Sequence, residues 1–237
     1  MFRIIDDSRI VNDVLARFCY GKPMRDVLLD FFFPRRSLRG ELGTWITAEE
    51  RSRLTTFPMR IGRAQLEGEG IFHLDLLVAA GTYAHSPLLR RAIYTLKYGK
   101  IPDFAQDLGK LLCEVFPLLA TDFSQTVLCP VPLHWTRRFT RGFNQASVLA
   151  EVVSRTVGIS CRELLRRRVP TGFQARRSRD ERQQAMERVF AFVGREIPSC
   201  VVLVDDISTS GATLDACAKV LKERGVKIVK GLVIARG

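Results

Sequence analysis

Between Val201 and Thr213 the chain reads Val-Val-Leu-Val-Asp-Asp-Ile-Ser-Thr-Ser-Gly-Ala-Thr: an apolar run, two adjacent carboxylates, then a string of small residues. Each part has a chemical use. Asp205 and Asp206 repel a phosphate but suit sugar hydroxyls or a hydrated Mg²⁺. The small residues Ser208, Thr209, Ser210, Gly211, Ala212 and Thr213 let backbone N–H groups come close to an anion, and Gly211 can take a positive φ. The hydroxyls of Ser208, Thr209 and Thr213 donate further bonds. A helix opening at this point adds its dipole to a bound phosphate. The chemistry is that of a sugar phosphate, with phosphate in the loop and hydroxyls on the acids. An Asp pair after an apolar strand also fits a Walker B segment, but the GxxxxGK[ST] loop which that reading needs does not occur here. A bare Asp pair is more simply a strand exit before a helix; the full string is not.

Arginine is the second chemical feature. The chain carries 37 Lys+Arg against 25 Asp+Glu, a formal charge of +12. Residues 130–190 hold 13 Arg, no Lys and 5 acids, so this quarter of the chain supplies +8 of it. Arg166, Arg167 and Arg168 are followed by Arg176, Arg177 and Arg179 across a break containing Pro and Gly. A guanidinium fork matches phosphate oxygens in a way an ammonium does not. The plainer reading is a solvated basic face. The functional one is a phosphate-rich partner, either a small phosphorylated molecule or nucleic acid. The six cysteines and three histidines form no metal-ligand spacing. They read as buried, reduced thiols and isolated imidazoles.

The elements around these groups follow from periodicity. Leu76–Tyr83, Thr126–Val131, Val189–Val193, Cys200–Val204 and Val226–Ala235 are short apolar strand candidates. Helices are expected over Pro87–Tyr98, from a cap at Asp103 to about Phe116, over Asn144–Val157 closed by Gly158, and over Ala212–Arg224 closed by Gly225. Strands separated by helices of this length make a mostly parallel α/β sheet, with ligands beyond the carboxyl ends of its strands. Residues 1–70 read as a separate appendage with a helix at Arg9–Phe18, an apolar stretch at Val27–Phe33 and little regular structure toward Gly70. Residues 71–237 form the main domain. No run of about 18 apolar residues occurs, which argues against a membrane-spanning helix. Early acids and the lack of an apolar h-region argue against a secretory signal, so the expected location is the cytoplasm.

The Val201–Thr213 string resembles the phosphoribosyl-pyrophosphate (PRPP) motif of type I phosphoribosyltransferases. The wider pattern resembles the ComF (GntX-like) family of competence-associated proteins. It is carried by Leu96-Lys-Tyr-Gly99, Cys129-Pro-Val-Pro-Leu-His134, Arg141-Gly-Phe-Asn-Gln-Ala146, Leu164-Leu-Arg-Arg-Arg168, Thr171, Gln174, Arg182 and Phe190, about residues 76–237. The resemblance implies a type I phosphoribosyltransferase fold, a parallel sheet flanked by helices with a hood loop. It makes Asp205 and Asp206 the candidate catalytic pair on the ribose hydroxyls and wraps residues 209–213 around the 5′-phosphate. It also puts the turn holding His134, Arg137, Arg138 and Arg141 at the pyrophosphate. A strand end rich in Arg beside a helix start is a natural diphosphate site in its own right. His134 as a simple turn cap and Lys97 as a solvated helix residue are the plainer alternatives.

Two departures stand out. Family members typically carry an N-terminal zinc-ribbon-like module with paired cysteines. Here Ser37 and Gly40, then Phe57 and Ile61, stand near those positions, so no zinc is expected and the module is expected to rest on apolar contacts. In the hood loop a family Asn position holds Ala185 and a Leu position holds Arg177. The resemblance implies a competence role with imported single-stranded DNA, PRPP or another phosphorylated ribose with Mg²⁺ as ligand, and other competence proteins as partners. Arg166, Arg167, Arg168, Arg176, Arg177 and Arg179 are the nucleic-acid candidates, with Phe139, Phe143 and Phe173 interleaved. The competing expectation is an active transferase, in which Mg²⁺ and Arg stabilise the leaving pyrophosphate.

Overall fold

A computed structural model describes residues 35–54, 57–84, 86–99, 101–120, 122–133, 142–168 and 189–237. The chain divides into two compact units, Met1–Thr47 and Ala48–Gly237. The expected helix at Arg9–Phe18 and the apolar stretch at Val27–Phe33 lie outside the described residues. In the first unit the Ser37 hydroxyl accepts N–H bonds from Arg39 (3.3 Å) and Glu41 (3.2 Å), and Gly40 turns the chain at φ 98°. A serine side chain thus holds this turn.

The second unit starts at Ala48, not near residue 71 as the composition suggested. Residues 48–70 supply α1 (Ala48–Leu54), β1 (Met59–Gly62) and α2 (Arg63–Gly68). Ile61 is buried in β1, and Phe57 lies 76% exposed just before that strand. The rest of the unit runs β2 (Leu76–Thr82), α3 (Pro87–Tyr98), α4 (Pro102–Val115), β3 (Thr126–Pro130), α5 (Gln145–Val157), β4 (Leu165–Arg167), β5 (Phe190–Phe192), β6 (Cys200–Ser208), α6 (Ala212–Glu223) and β7 (Ile228–Arg236). The five-stranded sheet has the order β1-β2-β7-β6-β3. β1 pairs antiparallel to β2, and the remaining pairs are parallel. The fold is therefore α/β with a mixed, mostly parallel sheet flanked by helices. β4 and β5 form a separate antiparallel pair.

Local chemistry explains the helices. The Ser86 hydroxyl caps α3 by accepting the Leu89 N–H, with Pro87 in the first turn. α4 departs from expectation: Pro102 opens it, and Asp103 lies inside its first turn instead of capping it. There a carboxylate still favours the dipole. α5 ends on Gly158 at φ 79°. Strands β2, β3 and β6 are buried nearly throughout, because helices cover both faces of a parallel sheet. Leu77, Ala79, Val127, Cys129, Val201, Leu203, Val229 and Val233 face the layer holding Leu214, Cys217, Ala218 and Leu221 of α6. α4 and α5 pack on the strands outside that cluster.

Cys129 and Cys217 sit in this core, and Cys161 is half-buried. Burial pushes the Cys129 thiol up to about 12 and that of Cys161 up to about 11, and raises Cys217 well above the ordinary range. An unfolded thiol titrates near ~8.5. The folded state therefore holds these protons more tightly, and their contribution to stability, full below that pH, is lost as pH rises toward 11–12. Native protein treated with iodoacetamide at pH 8 should leave Cys129 and Cys217 unmodified by mass spectrometry, and both should label in guanidinium. Labelling of Cys129 in the native protein would contradict this placement.

Candidate functional site

The direction of the crossovers decides where a cleft can open. α5 carries the chain from β3 away from β6, to Cys161, which bridges in parallel to Leu128 of β3. α6 carries it from β6 the other way, to β7. The neighbours β3 and β6 thus release their chains in opposite directions, and a crevice opens beyond their carboxyl ends. It has a volume of about 380 Å³. Its walls come from Val131, Pro132 and Leu133 after β3, Asn144, Gln145 and Ala146 at the start of α5, and Asp205, Asp206, Ile207, Thr209 and Thr213 around the end of β6. Tyr83 after β2, Lys97 of α3 and Arg167 of β4 complete it.

Two helix N-termini open on this crevice. α6 starts at Gly211, with φ 74° and no side-chain cap bond. α5 starts at Asn144, also without a side-chain cap bond, because the Asn144 amide donates instead to the Val131 carbonyl at 3.2 Å. First-turn N–H groups lack the i−4 partner of the helix interior; here the Ala212 N–H is accepted by the Ser210 hydroxyl and the Ser147 N–H by the Asn144 carbonyl. Between them lie the acids. Asp206 is 6% exposed, and Lys97 Nζ stands 3.6 Å from its Oδ2. Asp205 is half-buried, and its Oδ1 accepts the Asp206 N–H at 2.8 Å. Lys97 is thus an ion-pair partner in the crevice, not a solvated helix residue.

The small-residue loop divides between wall and support. Thr209 and Thr213 face the crevice. Ser208 is buried, and its Oγ accepts from Arg236 Nη1 at 3.3 Å. The Ser210 hydroxyl accepts the Ala212 N–H at 3.4 Å. Gly211 is buried against Ile71, and a Cβ added there would lie 2.1 Å from Ile71 Cδ1. Arg236, the last residue of β7, holds the loop from below. Its guanidinium donates to the Ser208 carbonyl at 3.1 Å and to the Thr209 carbonyl, and pairs with Glu69.

The arginine triplet is split by strand alternation. Arg166 and Arg168 are exposed, while Arg167 lines the crevice, its guanidinium 5.4 Å from the centre of the Phe190 ring. The three do not form one basic face. His134, Arg137, Arg138, Arg141, Arg176, Arg177 and Arg179 lie outside the described residues, as do Thr171, Gln174, Arg182, Phe139 and Phe173. Tyr83 and Arg236 were not singled out by motif. Both follow from the rule that sites gather at carboxyl ends of parallel strands, since Tyr83 follows β2 directly and Arg236 ends β7.

Among the described residues no group of three or more His, Cys, Asp or Glu is placed to hold a metal ion. Nor, among those residues, is any helix long and apolar enough to cross a membrane.

A polar crevice beyond the strand ends where the strand order reverses is the place at which ligands of doubly wound α/β proteins generally sit, and this chain has that α/β arrangement. No family model matches the chain. It is 34% identical over 113 residues to competence protein F of Haemophilus influenzae, covering 46% of this chain and 49% of that protein. It is 31% identical over 153 residues to competence protein ComFC of Streptococcus pneumoniae, covering 62% and 67%. It is 30% identical over 169 residues to the DNA utilization protein YhgH of Escherichia coli, covering 68% and 71%. The match thus spans about half the length of the Haemophilus protein and at least two thirds of the other two. The chain belongs to the ComF family.

Proposed function

We propose that this chain is a PRPP-binding protein of the type I phosphoribosyltransferase fold that serves natural competence, acting in the cytoplasm on imported single-stranded DNA alongside other competence proteins. The observation that carries the ligand half is the pair of helix N-termini without side-chain caps facing one crevice, with Asp205 and Asp206 between them. A ligand with anionic groups at both ends and hydroxyls in the middle matches that order of charges. The 5′-phosphate rests on residues 209–213 and the ribose hydroxyls on the two acids. The diphosphate rests on the α5 end with Arg167, and His134, Arg137, Arg138 and Arg141 remain its expected partners. Mg²⁺ suits the same donors, since it is ordinarily held by one or two carboxylates together with ligand phosphates, without a protein cage. Asp205 and Asp206 would hold it there, where it would neutralise charge on the diphosphate. The names of the relatives support the competence half.

The expected result is a rise in melting temperature with PRPP and Mg²⁺. At a hundredfold excess over Kd it corresponds to about 2.7 kcal/mol, or roughly 5–10 °C for a chain of this size. Asp205→Asn with Asp206→Asn should abolish the rise. A double variant that keeps it in full would remove the acids from the site.

Transfer to a base is the second reading, and one observation favours it. A mostly apolar cleft of about 320 Å³ lies at the end of β2, bordered by Leu54, Phe57, Gly81 and Thr82, with Thr82 next in sequence to Tyr83 of the first crevice. A flat heterocycle could lodge there. Pyrophosphate release across a panel of bases separates the readings, and no release with any base leaves the binding protein.

A further inference from the structure

Helix α3 has a well-used inner face: Leu89, Ala92, Ile93 and Leu96 are buried. Its outer face carries Arg90, Tyr94 and Tyr98 at four-residue spacing, with Arg91 beside them. Tyr94 is 66% and Tyr98 62% exposed, and their ring centroids lie 4.8 Å apart at an interplanar angle of 44°. The two rings touch each other but stay largely in water, while the helix fills the core from its other side. The helix contains no Asp or Glu, and among the described residues neither Arg90 nor Arg91 forms an ion pair. Lys97, in the same last turn as Tyr98, points into the crevice beside Asp206.

We propose that the outer face of α3 is a stacking platform for single-stranded nucleic acid, with unpaired bases on Tyr94 and Tyr98 and backbone phosphates on Arg90 and Arg91, and that the strand approaches the crevice at Lys97. The combination selects the partner. Exposed π-faces need bases whose own faces are accessible, which duplex bases are not, and a helix bearing cations and no acids suits a polyanion. These residues are different ones from the arginines singled out between positions 166 and 179. The inference rests on the DNA-handling half of the proposed function and not on PRPP binding.

The test is fluorescence anisotropy with a labelled 20-mer of thymidine, an abasic strand of the same length and a duplex, from 50 to 200 mM salt. Stacking is worth enough per base that Tyr94→Ala with Tyr98→Ala should weaken thymidine binding by about 30-fold or more, while affinity for the abasic strand stays within about twofold. Arg90→Gln with Arg91→Gln should weaken both strands and flatten the slope of log K against log salt by about 1.4, two phosphates' worth. The substituted side chains are exposed, and an unchanged melting temperature verifies that the variants fold. Thymidine binding untouched by the tyrosine variant overturns the platform and leaves the DNA-handling reading standing. Equal losses on thymidine and abasic strands also overturn it. No binding of any single strand overturns both.

Discussion

A Gly211→Ala protein should melt well below the wild type and lose its PRPP-dependent rise, although a single methyl group is all that changes. Gly211 has φ 74°, a backbone region that costs an ordinary L-residue about 1–2 kcal/mol. The new Cβ would also fall 2.1 Å from Ile71 Cδ1 and 2.8 Å from its Cγ1. Ile71 cannot swing aside freely, since it is 1% exposed. Two residues on, the His73 N–H donates to Asp215 Oδ1 at 2.6 Å, and His73 Nδ1 lies 3.0 Å from Oδ2, tying this segment to the first turn of α6. Overpacking a site this tight adds about 1–3 kcal/mol. The sum, about 2–5 kcal/mol, corresponds to a fall of roughly 4–20 °C. Ile71→Val removes the offending Cδ1, so the cycle of the two single variants and the double should show them offsetting one another, with the backbone strain remaining. Strict additivity would mean that the steric conflict is not the cause. Ligand binding should fail in Gly211→Ala even below its melting temperature, because the strain displaces the first N–H groups of α6.

That dependence also shows which parts of the molecule were legible in the sequence. The apolar run ending in Asp205-Asp206 and the small residues after it located the end of β6 and the start of α6, since burial, carboxylates and a glycine each impose a local rule. Ile71 as the wall behind Gly211 was not legible, because nothing at residue 71 signals a contact 140 positions away. The limit of the first unit was misplaced for a related reason. Residues 48–70 are polar and Arg-rich, and the four residues of β1 gain their place only by pairing with β2. The triplet Arg166–Arg168 read as one basic patch because its strand was not expected. A period of two sends Arg167 one way and its neighbours the other. Lys97 looked solvated from its helical position alone, and Asp206 comes within reach only once β6 and α3 converge.

Arg236 offers the second large effect, and it separates charge from geometry. Its side chain is 10% exposed and its partner Glu69 35%, so the pair is partly shielded from water. The same guanidinium spans the Ser208 carbonyl, the Ser208 hydroxyl and the Thr209 carbonyl. The backbone continues the link, because the Arg236 carbonyl accepts the Tyr83 N–H at 2.7 Å and the Gly237 N–H donates to Ser208 at 2.9 Å. One residue thus connects two walls of the crevice, Tyr83 and Thr209. Breaking a buried pair costs about 3–5 kcal/mol. Glu69 can rehydrate in part, which places Arg236→Ala at about 2–3 kcal/mol and a fall of roughly 5–10 °C. Arg236→Lys keeps a cation near Glu69 but replaces a planar fork, whose Nη1 reaches the loop acceptors while Nη2 reaches Glu69, by a point charge that cannot serve both sides at once. It should therefore recover most of the melting temperature while leaving the PRPP rise well below wild type. If lysine restores both, the loop is held by charge alone; if Arg236→Ala melts with the wild type, the loop has no need of this support.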